Sequence, residues 1–214
     1  MNKFKHSAIQ FSHIRTYKNF IKYNVMPDEN VLDIGAGYGF LKFLVQKQKA
    51  KYLGLEPILS KYKLAKESYG SNGFIHTILR SNVSKIYYDK IFALTVIDEV
   101  PAKHQFLNNI KSYMHSKSEL YIAVRNSDFP FRKSLEVTSS VEGTKLKDMT
   151  LHEWENLFKE NMLSISSISK FPRPLISSYS IRHTIKGLFL IPLYYFLPIE
   201  KSYMILFKIK ISIQ

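Results

Sequence analysis

At 214 residues with 45% hydrophobic content, the chain can bury a full core but is too short for a second large domain, so one domain over 1–214 is expected. The absence of cysteine excludes a disulfide framework, a thiolate metal site and a cysteine nucleophile and fits a reducing, cytoplasmic compartment, and Met1 to His6 open no apolar stretch of signal-peptide length. A formal charge of +14 attracts phosphate, on nucleic acid or an anionic membrane, yet only six of the 31 basic residues are arginine and the lysines are scattered, which favours an ordinary solvated surface.

Residues 1–26 are expected to form an N-terminal helical segment. Val31 to Ile34 is a short apolar strand, followed by a glycine turn and a helix opening at Phe40-Leu41-Lys42-Phe43-Leu44-Val45. Lys51 to Leu55 is a second strand, and Ser60 to Ser68 a helix opened by a serine cap. Phe74 to Leu79 is a third strand, and Ile91 to Ile97 is a continuous apolar run that predicts a strand buried on both faces. A helix over Ala102 to Met114 and a fifth strand over Glu119 to Val124 follow. Residues 126–149 are a polar connection long enough for a functional loop. Thr150 caps a helix running to about Asn161, and Leu163 to Lys170 with Ser202 to Ile213 form a closing pair of strands. Strands alternating with helices at this spacing predict an α/β fold, with a mostly parallel sheet and helices on both faces.

In such a sheet a ligand binds beyond the carboxyl ends of the strands. Asp33-Ile34-Gly35-Ala36-Gly37-Tyr38-Gly39 falls at that place, and three of the chain's eight glycines sit in it. Glycine admits positive φ and lets a ligand approach without a Cβ in the way. The G-x-G-x-G spacing differs from the G-x-G-x-x-G of dinucleotide folds. Glu56, 17 residues after Gly39 and at the end of the second strand, is placed to accept both hydroxyls of a ribose. The His/Asp spacing shows no repeat of the kind a metal site needs.

Val31 to Gly39 resembles the first motif of class I S-adenosylmethionine-dependent methyltransferases. Leu55-Glu56-Pro57 is similar to their second motif, Tyr88-Asp89-Lys90-Ile91 to the start of their fourth strand, and Leu120 to Asn126 to the fifth. Thr150-Leu151-His152-Glu153-Trp154 resembles the late helix of the UbiG-like branch. The resemblance implies a Rossmann-like fold with an antiparallel C-terminal strand. It implies that Asp33, Gly35, Ala36, Gly37 and Gly39 hold the methionine moiety of S-adenosylmethionine and that Glu56 holds its ribose. Asn82 stands where the family has an acid facing the adenine amino group. After the fourth strand the branch has Glu-His; here Asp98 matches the acid and Glu99 replaces the histidine. This carboxylate pair is either a base or acceptor ligand, or a charge pair at a helix N-terminus. Methyl transfer is an in-line displacement served by alignment. Where a base is needed, Asp98, Glu99, His104 and His152 are the candidates, with Asp98 and Glu99 preferred.

Phe171 to Lys201 reads as an insert with an apolar stretch from Gly187 to Pro198, too short to span a bilayer, which takes roughly 20 residues. It is expected as a lid over the acceptor mouth, with peripheral contact to an anionic membrane through Arg182, His183, Lys186 and Lys201 as the other reading. The expected acceptor is a small molecule, a glycan or a lipid-linked compound methylated on oxygen. RNA methylation and non-catalytic binding of S-adenosylmethionine are the alternatives.

Overall fold

The computed structural model describes residues 3–81, 86–130, 149–171 and 196–212. Seven strands form one sheet: β1 (Asn30–Ile34), β2 (Lys51–Leu55), β3 (Phe74–Ile75), β4 (Tyr88–Leu94), β5 (Met114–Arg125), β6 (Leu163–Lys170) and β7 (Met204–Ile211). Their order is β3-β2-β1-β4-β5-β7-β6. The pairs from β3 to β5 are parallel, whereas β7 is antiparallel to both β5 and β6. Among the described residues, five α-helices accompany the sheet: α1 (Lys3–Asn24), α2 (Phe40–Lys47), α3 (Leu59–Tyr69), α4 (Lys103–Lys111) and α5 (Leu151–Glu160). The mostly parallel α/β fold with an antiparallel C-terminal strand is therefore as expected.

The apolar runs split between two cores because successive side chains of a strand leave opposite faces. On β5, Leu120 and Ile122 join Phe106, Leu107 and Ile110 of α4 and Trp154, Leu157 and Phe158 of α5. Tyr121 and Ala123 of the same strand join Tyr17 and Ile21 of α1, Val25 just after it, and Leu41, Leu44 and Val45 of α2 on the other face. Truncating a fully buried leucine or isoleucine among them to alanine costs about 2–5 kcal/mol.

Away from the carboxyl ends, Glu119 of β5 binds Lys90 of β4 at 2.6 Å, Lys208 of β7 at 2.7 Å and the Tyr121 hydroxyl at 2.8 Å. Burial works against the charge, but these bonds prevail and hold its carboxyl down at about 2. The cluster joins three strands, one of them running against the other two.

Element boundaries depart from the sequence expectation where side chains intervene. The third strand stops at Ile75 instead of Leu79. The following chain is taken off the sheet, its Leu79 carbonyl accepting from Asn109 of α4 at 3.3 Å and its Arg80 carbonyl from the Tyr113 hydroxyl. Helix α3 opens at Leu59 without a serine cap, since the Glu56 carboxylate accepts the Ile58 N–H at 2.8 Å. β4 ends at Leu94, and Ile97 belongs to a 3-10 turn, Ile97–Glu99. β5 begins at Met114, where the pairing with β4 is irregular. Helix α5 has the expected Thr150 cap and a full capping box: Glu153 N–H donates to Thr150 Oγ1 at 3.1 Å and Thr150 N–H to Glu153 Oε2 at 2.7 Å. Residues 131–148 of the polar connection and 172–195 of the apolar insert, including Arg182, His183 and Lys186 of the expected lid or membrane contact, lie outside the described residues. Among the described residues no helix is long and apolar enough to cross a membrane.

Candidate functional site

β1 has β2 on one side and β4 on the other, so the chain order reverses there and leaves a crevice at the carboxyl ends of β1 and β4. The loop from Gly35 to Gly39 lies at that crevice. Its Gly35 and Ala36 N–H groups both donate to the Leu55 carbonyl, at 2.8 and 2.9 Å, which fixes the loop to the end of β2. Gly35, Gly37 and Gly39 all have positive φ, at 72°, 57° and 80°.

The three glycines nevertheless answer different needs. A Cβ on Gly35 would lie 2.4 Å from Val96 Cγ2, and one on Gly39 2.7 Å from Phe74 Cζ, so both are closed in by packing. A Cβ on Gly37 would meet nothing closer than the Gly35 carbonyl oxygen at 3.9 Å. Gly37 is the one whose missing side chain leaves open room.

Two buried, mutually interacting carboxylates belong to the elements that carry this loop. Asp33, at the end of β1, is 3% exposed and accepts from the Tyr52 hydroxyl at 2.7 Å. Burial pushes its carboxyl up to about 7; the Tyr52 bond opposes that rise and the neighbouring Glu56 charge adds to it. Glu56 is equally buried, with Oε2 accepting from Gly37 N–H at 2.7 Å and Oε1 from Ile58 N–H at 2.8 Å. A carboxylate offers about four acceptor sites, so two remain for hydroxyl donors. A diol, an ammonium and close backbone approach are what this donor and acceptor set suits. The residues present fit a cofactor carrying a ribose and an amino-acid tail.

Asp98 and Glu99 lie together beyond the end of β4, and Arg125 at the end of β5 serves both. Its backbone N–H reaches the two Asp98 oxygens at 3.3 and 3.2 Å, its Nε lies 3.8 Å from Asp98 Oδ2, and its Nη2 lies 2.9 Å from Glu99 Oε1. The Asp98 side chain is 1% exposed and that of Glu99 31%. Between β4 and this pair, Thr95 has a φ of 60°, a strained value for a β-branched residue. His104 is bonded to Asn161 at 3.0 Å and His152 to Asn156 at 3.2 Å, both on largely exposed side chains. Asn82 lies outside the described residues. Among the described residues no cluster of three or more metal-ligating side chains occurs.

Sequence reasoning missed four contributors. Tyr52, Arg125 and Thr95 have no local motif, since each acts on a neighbouring strand or through a backbone angle. Lys42 is buried in α2, and its ammonium donates to the carbonyls of Tyr69 at 2.6 Å and Gly70 at 3.3 Å. This ties the C-terminus of α3 to the helix that follows the glycine loop, where a cation also suits the helix dipole. A lysine inside an otherwise apolar helix face was its only signal.

Comparison with known proteins bears on this site. A family model described as a methyltransferase domain matches residues 11–167. The chain is similar to protein arginine N-methyltransferase 8-B of Danio rerio, 26% identical over 167 residues that make up 75% of this chain and 39% of that protein. It thus spans about two fifths of that curated relative's length. In structure it is similar to a Haloferax volcanii methyltransferase solved with the Trm112 methyltransferase activator, with a TM-score of 0.66, 11% identity and coverage of 97% of this chain and 92% of that one. It is also similar to the Burkholderia thailandensis 1,6-didemethyltoxoflavin-N1-methyltransferase solved with that substrate and S-adenosylhomocysteine, with a TM-score of 0.62, 13% identity and coverage of 96% and 79%.

Proposed function

The chain belongs to the methyltransferase-domain family, and from that premise we propose that it is a UbiG-like class I enzyme that passes the methyl group of S-adenosylmethionine to a hydroxyl of a small-molecule, glycan or lipid-linked acceptor. The observation that carries this reading is the open room at Gly37, whose N–H is held by buried Glu56, with buried Asp33 interacting with that carboxylate.

S-adenosylmethionine supplies an electrophilic methyl on a sulfonium. The chain's part is to hold and align. Glu56, already oriented by two backbone N–H groups, keeps acceptor capacity for the ribose hydroxyls. Asp33 meets the ammonium of the methionine tail, and that charge draws its carboxyl towards the ionised form. Gly37 lets the tail lie against the backbone. On the acceptor side, Glu99 is the more open carboxylate and takes the acceptor proton, while buried Asp98 keeps Arg125 in register. Alignment of acceptor, methyl and leaving group supplies the larger share of the rate.

A second reading is methylation of arginine in a protein, favoured by the likeness to an arginine N-methyltransferase. Transfer of labelled methyl from S-adenosylmethionine into fractions of a cell extract tests both. Label in small or lipid-soluble products supports the proposal, and label in protein supports the second reading. Label in RNA, or binding of the cofactor with no transfer to any fraction, contradicts both.

A further inference from the structure

Asp33 and Gly54 face each other across β1 and β2. Tyr52, two residues before Gly54, lies on the same face of β2 as Gly54. Gly54 has no side chain, and a Cβ built there would lie 2.6 Å from the Tyr52 hydroxyl oxygen and 2.8 Å from Ala36 Cβ. The tyrosine ring is thus able to run along its own strand, over the glycine, and deliver its hydroxyl to Asp33 Oδ2 at 2.7 Å. The ring's other side packs on Phe74, whose centroid lies 5.6 Å away in an edge-on arrangement, and adjoins Gly73, where a Cβ would lie 3.6 Å from Tyr52 Cδ1.

We propose that Tyr52 is a positioning residue for cofactor binding, reaching Asp33 through the space left by Gly54 and setting the protonation state in which Asp33 receives a cationic ligand. The proposal rests on the cofactor reading given above. A phenol donor stabilises a carboxylate, so the bond biases Asp33 towards the charged form that an ammonium requires. Among the described residues, the charged and titratable groups around Asp33 are few. Glu56 at the end of β2 opposes its ionisation, and Tyr69 at the end of α3 and Asp33 itself act on Tyr52. Lys42 of α2 directs its ammonium to carbonyls at and just beyond the end of α3, those of Tyr69, Gly70 and Asn72. From β4 the partner in register is Phe92, which carries no charge. Among the described residues, Tyr52 is therefore the side chain that favours a charged Asp33.

Two measurements test this. Calorimetric affinity for S-adenosylhomocysteine, taken from pH 5 to 9, is expected to fall as Asp33 takes up a proton. Tyr52→Phe, which keeps the ring and its packing, is expected to move that fall to higher pH by roughly one to two units, a tenfold or greater loss between the two midpoints. Carbon-13 NMR of the aspartate carboxyl carbons of the ligand-free protein, with Asp33→Asn to assign the signal, is expected to show the same upward move. A Tyr52→Phe profile that coincides with the wild type in the NMR titration overturns the proposal, whatever the ligand does. If the carboxyl moves in the NMR titration but the wild type fails to bind S-adenosylhomocysteine at any pH, the link between tyrosine and aspartate stands, whereas the cofactor reading and the role in binding fall. Gly54→Ala, which displaces the hydroxyl while keeping it in the chain, is expected to reproduce the Tyr52→Phe shift.

Discussion

The backbone N–H of Gly37 donates to Oε2 of Glu56 at 2.7 Å, so the loop that follows β1 is held by the side chain that ends β2. The same carboxylate takes the Ile58 N–H before α3, so one residue organises both of the turns that border the crevice.

Glu56→Ala leaves these two N–H groups without their acceptor, at about 1–3 kcal/mol for each that stays buried. The variant is expected to melt several degrees lower and to lose S-adenosylhomocysteine binding by at least tenfold in calorimetry. Unchanged binding would remove Glu56 from the site.

The loop glycines are expected to separate stability from binding. Gly35→Ala and Gly39→Ala force a Cβ against Val96 and Phe74, and both should lower the melting temperature before any ligand is considered. Gly37→Val places its side chain in open room, so it is expected to pay only for its positive φ, about 1–3 kcal/mol, while abolishing cofactor binding. Thermal melts and calorimetry on the three proteins check the division. A Gly37→Val variant with full affinity contradicts it.

Asp33 predicts a stability that depends on pH in the ligand-free chain. Its carboxyl stands at about 7 when folded against 3.8 as the ordinary value, so the native state keeps a proton that the unfolded chain releases. The stability this group contributes is fully present below its unfolded value and is lost as pH rises through about 7. Asp33→Asn escapes that loss. The melting temperature of the variant minus that of the wild type is expected to increase steadily from pH 4 to pH 8, and a difference flat across this range would show that Asp33 is ionised throughout.

Glu119 has the opposite sign. Its folded carboxyl, at about 2 against an ordinary 4.5, contributes stability above the unfolded value that is lost as pH falls through about 2. Glu119→Gln, which leaves Lys90 and Lys208 facing each other across an uncharged amide, is expected to lose on the order of 2 kcal/mol at pH 7 and progressively less towards pH 2. Acid titration followed by circular dichroism reads this convergence.

Much of the fold was legible because each apolar run obeys one period. The run at Ile91 announced a strand covered on both sides, and Thr150 with Glu153 announced the start of α5. Of the candidate site, Asp33, the glycine loop and Glu56 stand out in the sequence, where chemistry is local to a turn. Tyr52 and Arg125 do not, since a partner 19 residues back in sequence, as Asp33 is to Tyr52, is set by strand register. The end of β3 was misplaced for a similar reason: its carbonyls are claimed by α4 and by Tyr113, side chains that no window around residue 79 contains.

The position of β7 also dictates an order of events in time. β5 and β6 never touch along the sheet; each pairs with β7, which is made after both. Among the described strands, β6 has no sheet neighbour to join during synthesis until Met204 to Ile211 has emerged, and the apolar edge of β5 from Leu120 to Val124 waits for the same partner. An open edge of that kind recruits strands from other molecules. The last strand therefore closes an aggregation-prone interval, and slow translation or early release upstream of Met204 would lengthen it.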